Sequence, residues 1–170
     1  GGGGIPPIVF FAEALNANAE QSPLVLMGSE IAFPFATHNT EKTIPGIPAS
    51  SCAVMTELDT LGLDTRLCSM QGYDGFYNGY IHQLAECWVQ QLTVEQRTQV
   101  EVFACGPEPM LHAVAQFSKQ YDLACQLSLE EYMACAVGGC AGCPGKITDA
   151  RGAAQMKRVC GDGPICDAST

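Results

Sequence analysis

Four cysteines near the end of this 170-residue chain, Cys135, Cys140, Cys143 and Cys160, have the type and spacing to do chemistry. The first three follow the C-x4-C-x2-C run in which one class of proteins holds a [2Fe–2S] cluster through thiolates. Gly138, Gly139 and Gly142 lie between them. Glycine lets the backbone fold closely and point N–H groups at sulfur, which tunes the reduction potential. Cys160 comes from a separate stretch and completes the set of four. A cluster held this way carries single electrons. Four thiolates also suit zinc, which usually draws them from C-x2–4-C pairs. Three cysteines crowded on one glycine loop favour the cluster. A zinc-stabilised α/β binding module without redox activity is the alternative.

A second group of residues could border a nucleotide. Gly1, Gly2, Gly3 and Gly4 precede Pro6 and Pro7, which suit the first turn of a helix. Such a loop lets phosphates approach the backbone and offers them a helix N-terminus. Four glycines at a terminus could equally be a linker or a cloning scar. Cys105, Gly106 and Pro107 end a predicted strand and open a predicted helix. Ligands of open α/β sheets bind at such strand ends, although an ordinary strand–turn–helix junction has the same composition. Glu30, two residues past another predicted strand, is placed either to bond an adenosine ribose, favouring NAD over NADP, or to sit as an exposed loop carboxylate. His38, His82 and His112 are scattered, and no catalytic triad or Cys–His pair is evident.

The elements that must position these residues alternate. Helices are expected over residues 6–19, 53–61, 80–92 and 107–120, and strands over 23–28, 64–70, 100–104 and 124–129. Residues 33–48 and 72–79 read as loops. This alternation indicates an open parallel sheet, with an α/β domain over 1–129 and a small cysteine-rich module over 130–170. A nucleotide-binding glycine loop normally follows a strand, and none precedes Gly1. A larger N-terminal part and a missing first strand are therefore expected.

Composition narrows the class. Hydrophobic residues make up 47% of the chain and charged residues 15%, a globular balance. A formal net charge of −10, with only eight Lys and Arg, argues against nucleic acid. No apolar run reaches the roughly 20 residues of a membrane span. Ten cysteines without an export signal point to a reducing cytoplasm. Cys52, Cys68, Cys87 and Cys125, among apolar neighbours, are expected to be small core residues. Cys166 reads as a free thiol or a surrogate ligand.

The order of a glycine loop, CGPEPM, SLEEYMACAVGGCAGC and KRVCGDGP resembles the electron-transfer subunit of NADH-dependent (class B) dihydroorotate dehydrogenase. That family belongs to the ferredoxin–NADP reductase superfamily and carries a C-terminal [2Fe–2S] module. The resemblance covers essentially the whole chain, most specifically residues 103–110, 128–143 and 157–164. It implies an oxidoreductase component of pyrimidine biosynthesis. Dihydroorotate would be oxidised at an FMN in a separate catalytic subunit, in a hetero-tetramer, and electrons would pass through the [2Fe–2S] cluster and an FAD to NAD. Cys135, Cys140, Cys143 and Cys160 would be the cluster ligands. Gly1–Gly4 and Cys105-Gly106-Pro107 would border NAD and the flavin edge. The family's N-terminal flavin-binding barrel has no counterpart in this sequence. Related NAD(P)H-dependent iron–sulfur flavoprotein reductases of the hydrogenase or ferredoxin type are the second reading. In place of a direct strand entry after Cys143 stands Pro144-Gly145, and no aromatic residue lies near Cys166.

Overall fold

A computed structural model describes residues 4–18, 21–132, 134–135, 137–148 and 153–168. The chain packs as two compact units, Gly1–Glu95 and Gln96–Thr170.

The first unit is built on a parallel strand pair. Helix α1 (Ile5–Asn16) leads to β1 (Leu24–Gly28), and β1 pairs in parallel with β4 (Asp64–Cys68), Leu26 opposite Arg66. Both strands are buried on both faces, because alternate side chains enter two different cores. Val25, Met27 and Leu67 pack with Ala12 of α1, Met55 and Leu58, and Phe33, Phe35 and Phe76 close that side. Leu24, Leu26 and Cys68 face the other way, onto Ile44, Ile47, Leu84 and Trp88. Leu84 and Trp88 belong to α3 (Ile81–Val89), which starts cleanly because the Tyr80 N–H donates to Gln83 Oε1 at 2.8 Å. Helices cover both faces of the strand pair, the arrangement a doubly wound α/β sheet requires.

Two segments differ from expectation. Residues 53–61 are helical only in their second half, α2 (Thr56–Thr60). The first three form β3 (Ala53–Met55), which pairs antiparallel with β2 (Thr37–Asn39), a strand inside the expected loop 33–48. Met55 is held further by its N–H to Thr65 Oγ1, at 3.2 Å. The rest of that loop is fixed by Arg66, which is 2% exposed. Its guanidinium donates to the carbonyls of Thr65 and Lys42. Burial pulls the Arg66 pKa down, opposed chiefly by Asp64. Gly46 lies close against α3. It has φ 86°, and a Cβ there would lie 2.5 Å from the Cys87 carbonyl oxygen. A short helix α4 (Val94–Arg97), not expected from the sequence, precedes the second parallel pair.

In the second unit β5 (Glu101–Cys105) pairs in parallel with β6 (Ala124–Ser128), and α5 (Glu108–Gln120) connects them. Leu111, Val114 and Phe117, spaced to share one helical face, are buried. The chain then forms a hairpin of β7 (Pro144–Thr148) and β8 (Ala154–Arg158), the short helix α6 (Val159–Asp162), and β9 (Ile165–Asp167). Strand β7 begins directly after Cys143, with Pro144 as its first residue, a position where proline costs little. Strand β9 returns to pair antiparallel with β6, Cys166 opposite Leu127. Among the described residues, no helix is long and apolar enough to cross a membrane.

Candidate metal centre

The cysteine-bearing segment leaves the sheet after β6 and returns at β9, and the Leu129 N–H donates to the Pro164 carbonyl at 2.8 Å where the two ends meet. Within it the four cysteines fall into two pairs. Cys135 and Cys140 form the first. The Cys140 N–H points at Cys135 Sγ, 3.4 Å away. Hydrogen bonds from the Val137 and Cys140 N–H groups, the Cys140 side chain and the Gly139 N–H hold the Cys135 thiol well below its ordinary value, at about 6. The turn that aims them has two left-handed residues, Gly138 (φ 76°) and Ala141 (φ 51°). Such N–H groups compensate a thiolate's charge, as cluster-binding loops require.

Cys143 and Cys160 form the second pair, their sulfurs 3.1 Å apart. Cys143 is 1% exposed, at the start of the hairpin. Cys160 lies in α6, and its N–H points at Cys143 Sγ at 3.5 Å. The Val159 N–H donates to the Cys143 carbonyl at 3.0 Å, which ties α6 to the hairpin. The hydrogen bond to Cys143, then burial, pushes the Cys160 thiol up, and Cys135 is near enough to add to that push. Among the described residues, no three His, Cys, Asp or Glu side chains converge on one point as a metal-ion cage. The donor set is two pairs of thiols, one containing the exposed Cys140 and the other the buried Cys143, with backbone N–H groups turned toward sulfur.

Sequence reasoning overlooked the residues that brace this arrangement. Arg158, N-cap of α6, donates from Nη1 to the Gly138 carbonyl at 2.7 Å. Its own N–H donates to Asp162 Oδ2 at 2.8 Å, and its Nε lies 3.6 Å from the same oxygen. The Arg158 backbone N–H and guanidinium hold the Asp162 carboxyl below its ordinary value. The i,i+4 spacing of an arginine and an aspartate around Cys160 was the available signal.

The candidate nucleotide residues are distributed. Gly1, Gly2 and Gly3 lie outside the described residues. Gly4 is buried and is the N-cap of α1, with Pro6 and Pro7 in the first turn. Glu30 is exposed, just past β1. Cys105 ends β5 and Pro107 is the N-cap of α5, so the CGP turn sits at a strand's C-terminal end. Cys105 Sγ lies 3.8 Å from Glu130 Oε1. Burial pushes the Cys105 thiol up, Ser128 pulls it down and Glu130 adds to the rise. A Cβ on Gly106 would come 2.7 Å from Met110 Cε. Of the four cysteines expected in the core, Cys68 and Cys125 are buried, whereas Cys52 and Cys87 are partly exposed. Cys166 is a free thiol on β9.

These features define an α/β protein with parallel strands and an appended thiolate module. The fold is like that of a solved NADH-dependent reduced ferredoxin–NADP oxidoreductase, which superimposes with a TM-score of 0.65 at 15% identity, over 98% of this chain and 50% of that one. Residues 130–170 match the family described as the iron–sulfur cluster binding domain of dihydroorotate dehydrogenase B. Curated relatives agree. The dihydroorotate dehydrogenase B (NAD(+)) electron transfer subunit of Caldanaerobacter subterraneus subsp. tengcongensis is 48% identical over 38% of this chain and 26% of its own length. The probable counterpart from Methanothermobacter thermautotrophicus is 32% identical over 84% of this chain and 52% of its own. The one from Lysinibacillus sphaericus is 29% identical over 97% and 52%. The chain is similar to dihydroorotate dehydrogenase B electron-transfer subunits, and it spans about half the length of the latter two.

Proposed function

We propose that this chain is the cluster-bearing part of an NAD-dependent dihydroorotate dehydrogenase electron-transfer subunit, acting in pyrimidine biosynthesis in the cytoplasm. The observation that carries the reading is the pairing of Cys135 with Cys140 and of Cys143 with Cys160. Two thiolates per metal, at two metals, is the protein donor set of a [2Fe–2S] cluster. A structural zinc would draw all four thiolates to one tetrahedral centre, a less good match to two pairs. Bound there, a [2Fe–2S] cluster supplies one-electron transfer.

The residues have separable tasks. Cys135 and Cys140 would hold the cluster as one pair, where the N–H groups of Val137, Gly139 and Cys140 offset thiolate charge. Cys143 and Cys160 would hold it as the other. Cys105, Gly106 and Pro107, at the C-terminal end of β5, border NAD and the flavin edge. Gly1–Gly4 and Glu30 serve the dinucleotide's phosphates and ribose. The subunit thereby relays electrons from an FMN-containing, dihydroorotate-oxidising partner, in a hetero-tetramer, by way of FAD to NAD. Ten free thiols accord with a reducing compartment.

Anaerobic purification with metal analysis and EPR tests the reading. The expected result is a brown protein with iron and acid-labile sulfide in about equal amounts, at about two irons per chain, and a [2Fe–2S] signal on reduction. A colourless protein holding stoichiometric zinc overturns it.

A further inference from the structure

We propose that Arg158 is a positioning residue that fixes the Gly138–Gly139 peptide, and so the turn that carries the Cys140 N–H to Cys135 Sγ. The inference rests on the ligand reading above. Arg158 Nη1 takes the Gly138 carbonyl at 2.7 Å. No cis peptide bond is present among the described residues, and in a trans peptide the C=O and the following N–H point in opposite directions. Holding the Gly138 oxygen toward Arg158 therefore turns the Gly139 N–H the other way and fixes the turn that ends at Cys140, whose N–H points at Cys135 Sγ, 3.4 Å away.

The anchor for this hold lies beside the fourth cysteine. Asp162 Oδ2 accepts the Arg158 N–H at 2.8 Å and lies 3.6 Å from its Nε. One guanidinium thus spans the turn between the first two cysteines and the helix bearing the last. The backbones come together to allow it: a Cβ built on Gly161 would lie 3.5 Å from Gly138 Cα. At φ 76° Gly138 is in a conformation glycine adopts without strain. Its peptide can rotate cheaply unless something holds it. Lysine places its donors on one compact centre and cannot span Gly138 and Asp162 together as the planar guanidinium does.

The test compares Arg158→Met, Arg158→Lys and Lys157→Met in the full chain. Lys157 is exposed on β8 and carries the same charge one residue away. N–H···S bonds stabilise the more negative reduced cluster. Arg158→Met should lower the midpoint potential, shift the EPR g-values and release iron to a chelator about tenfold faster, a usual cost of losing a partner that orients a metal ligand. Arg158→Lys, which retains one donor, should fall between this variant and wild type. Lys157→Met should leave g-values and iron release unchanged. An Arg158→Met protein with wild-type g-values and iron release overturns the positioning role, as does an equal change in Lys157→Met. Should Arg158→Met not accumulate, an Arg158→Lys protein indistinguishable from wild type overturns it too. A wild-type chain without iron defeats the ligand reading itself, which separates the two failures.

Discussion

At the scale of single residues, cysteines of one chemical type divide into those with a partner sulfur and those without. Cys140 is exposed and adjoins Cys135, whereas Cys52 lines a hollow with Arg66 and the 40–51 loop of the first unit. Cys140→Ser should therefore bleach the visible spectrum of the purified chain, and Cys52→Ser should leave it unchanged. Equal loss from both would refute the ligand assignment. The candidate ligands were legible because chemistry fixes their spacing: a cluster loop needs its cysteines a set few residues apart. Arg158 was legible only as half of an i,i+4 pair with Asp162; its other partner is a backbone carbonyl, and no residue type in the sequence announces such an acceptor. Glu130 was hidden for another reason. It meets Cys105 across two segments joined only through α5 and β6.

At the scale of elements, local hydrophobic pattern carried the parallel pairs. Leu24–Gly28 and Glu101–Cys105 are short apolar runs closed by turn residues, and α5 shows a regular apolar face. Strand β2 has no such pattern. Its three residues are all exposed, so neither it nor its partner β3 was visible without the pairing itself. Strand β9 is a similar case, three residues whose only mark is the ladder to β6. Strand β4 makes a prediction at this scale. It places Cys68 in the α3-side core at 1% exposure, and burial pushes that thiol from 9.0 up to about 12. The folded state then keeps a proton that the unfolded state loses above about pH 9. The resulting stability is full below pH 9 and is lost as pH rises toward 12, at up to ~1.4 kcal/mol per pH unit. Chemical denaturation across that range should show a shallower fall for Cys68→Ala than for wild type. Equal slopes would mean that the thiol is not protected.

At the scale of the whole molecule, each unit has a parallel pair of its own, and the thiolate module belongs to the second. The relatives matched most fully are about twice as long. Electron relay as proposed needs a partner, and co-expression of this chain with an FMN-dependent dihydroorotate-oxidising subunit should give one peak on a sizing column at micromolar concentration. Separate elution of the two would refute the partnership. The closure of the thiolate segment by the Leu129–Pro164 hydrogen bond and the β6–β9 ladder has a consequence for maturation. Cys160 is carried by a ring pinned to the sheet at both ends, and a ring explores far less space than a dangling tail. Much of the entropy of bringing the last sulfur to the first three is lost when the sheet forms. The folded chain can then receive its inorganic core as a ready receptacle, and iron need not first gather a loose polymer around itself.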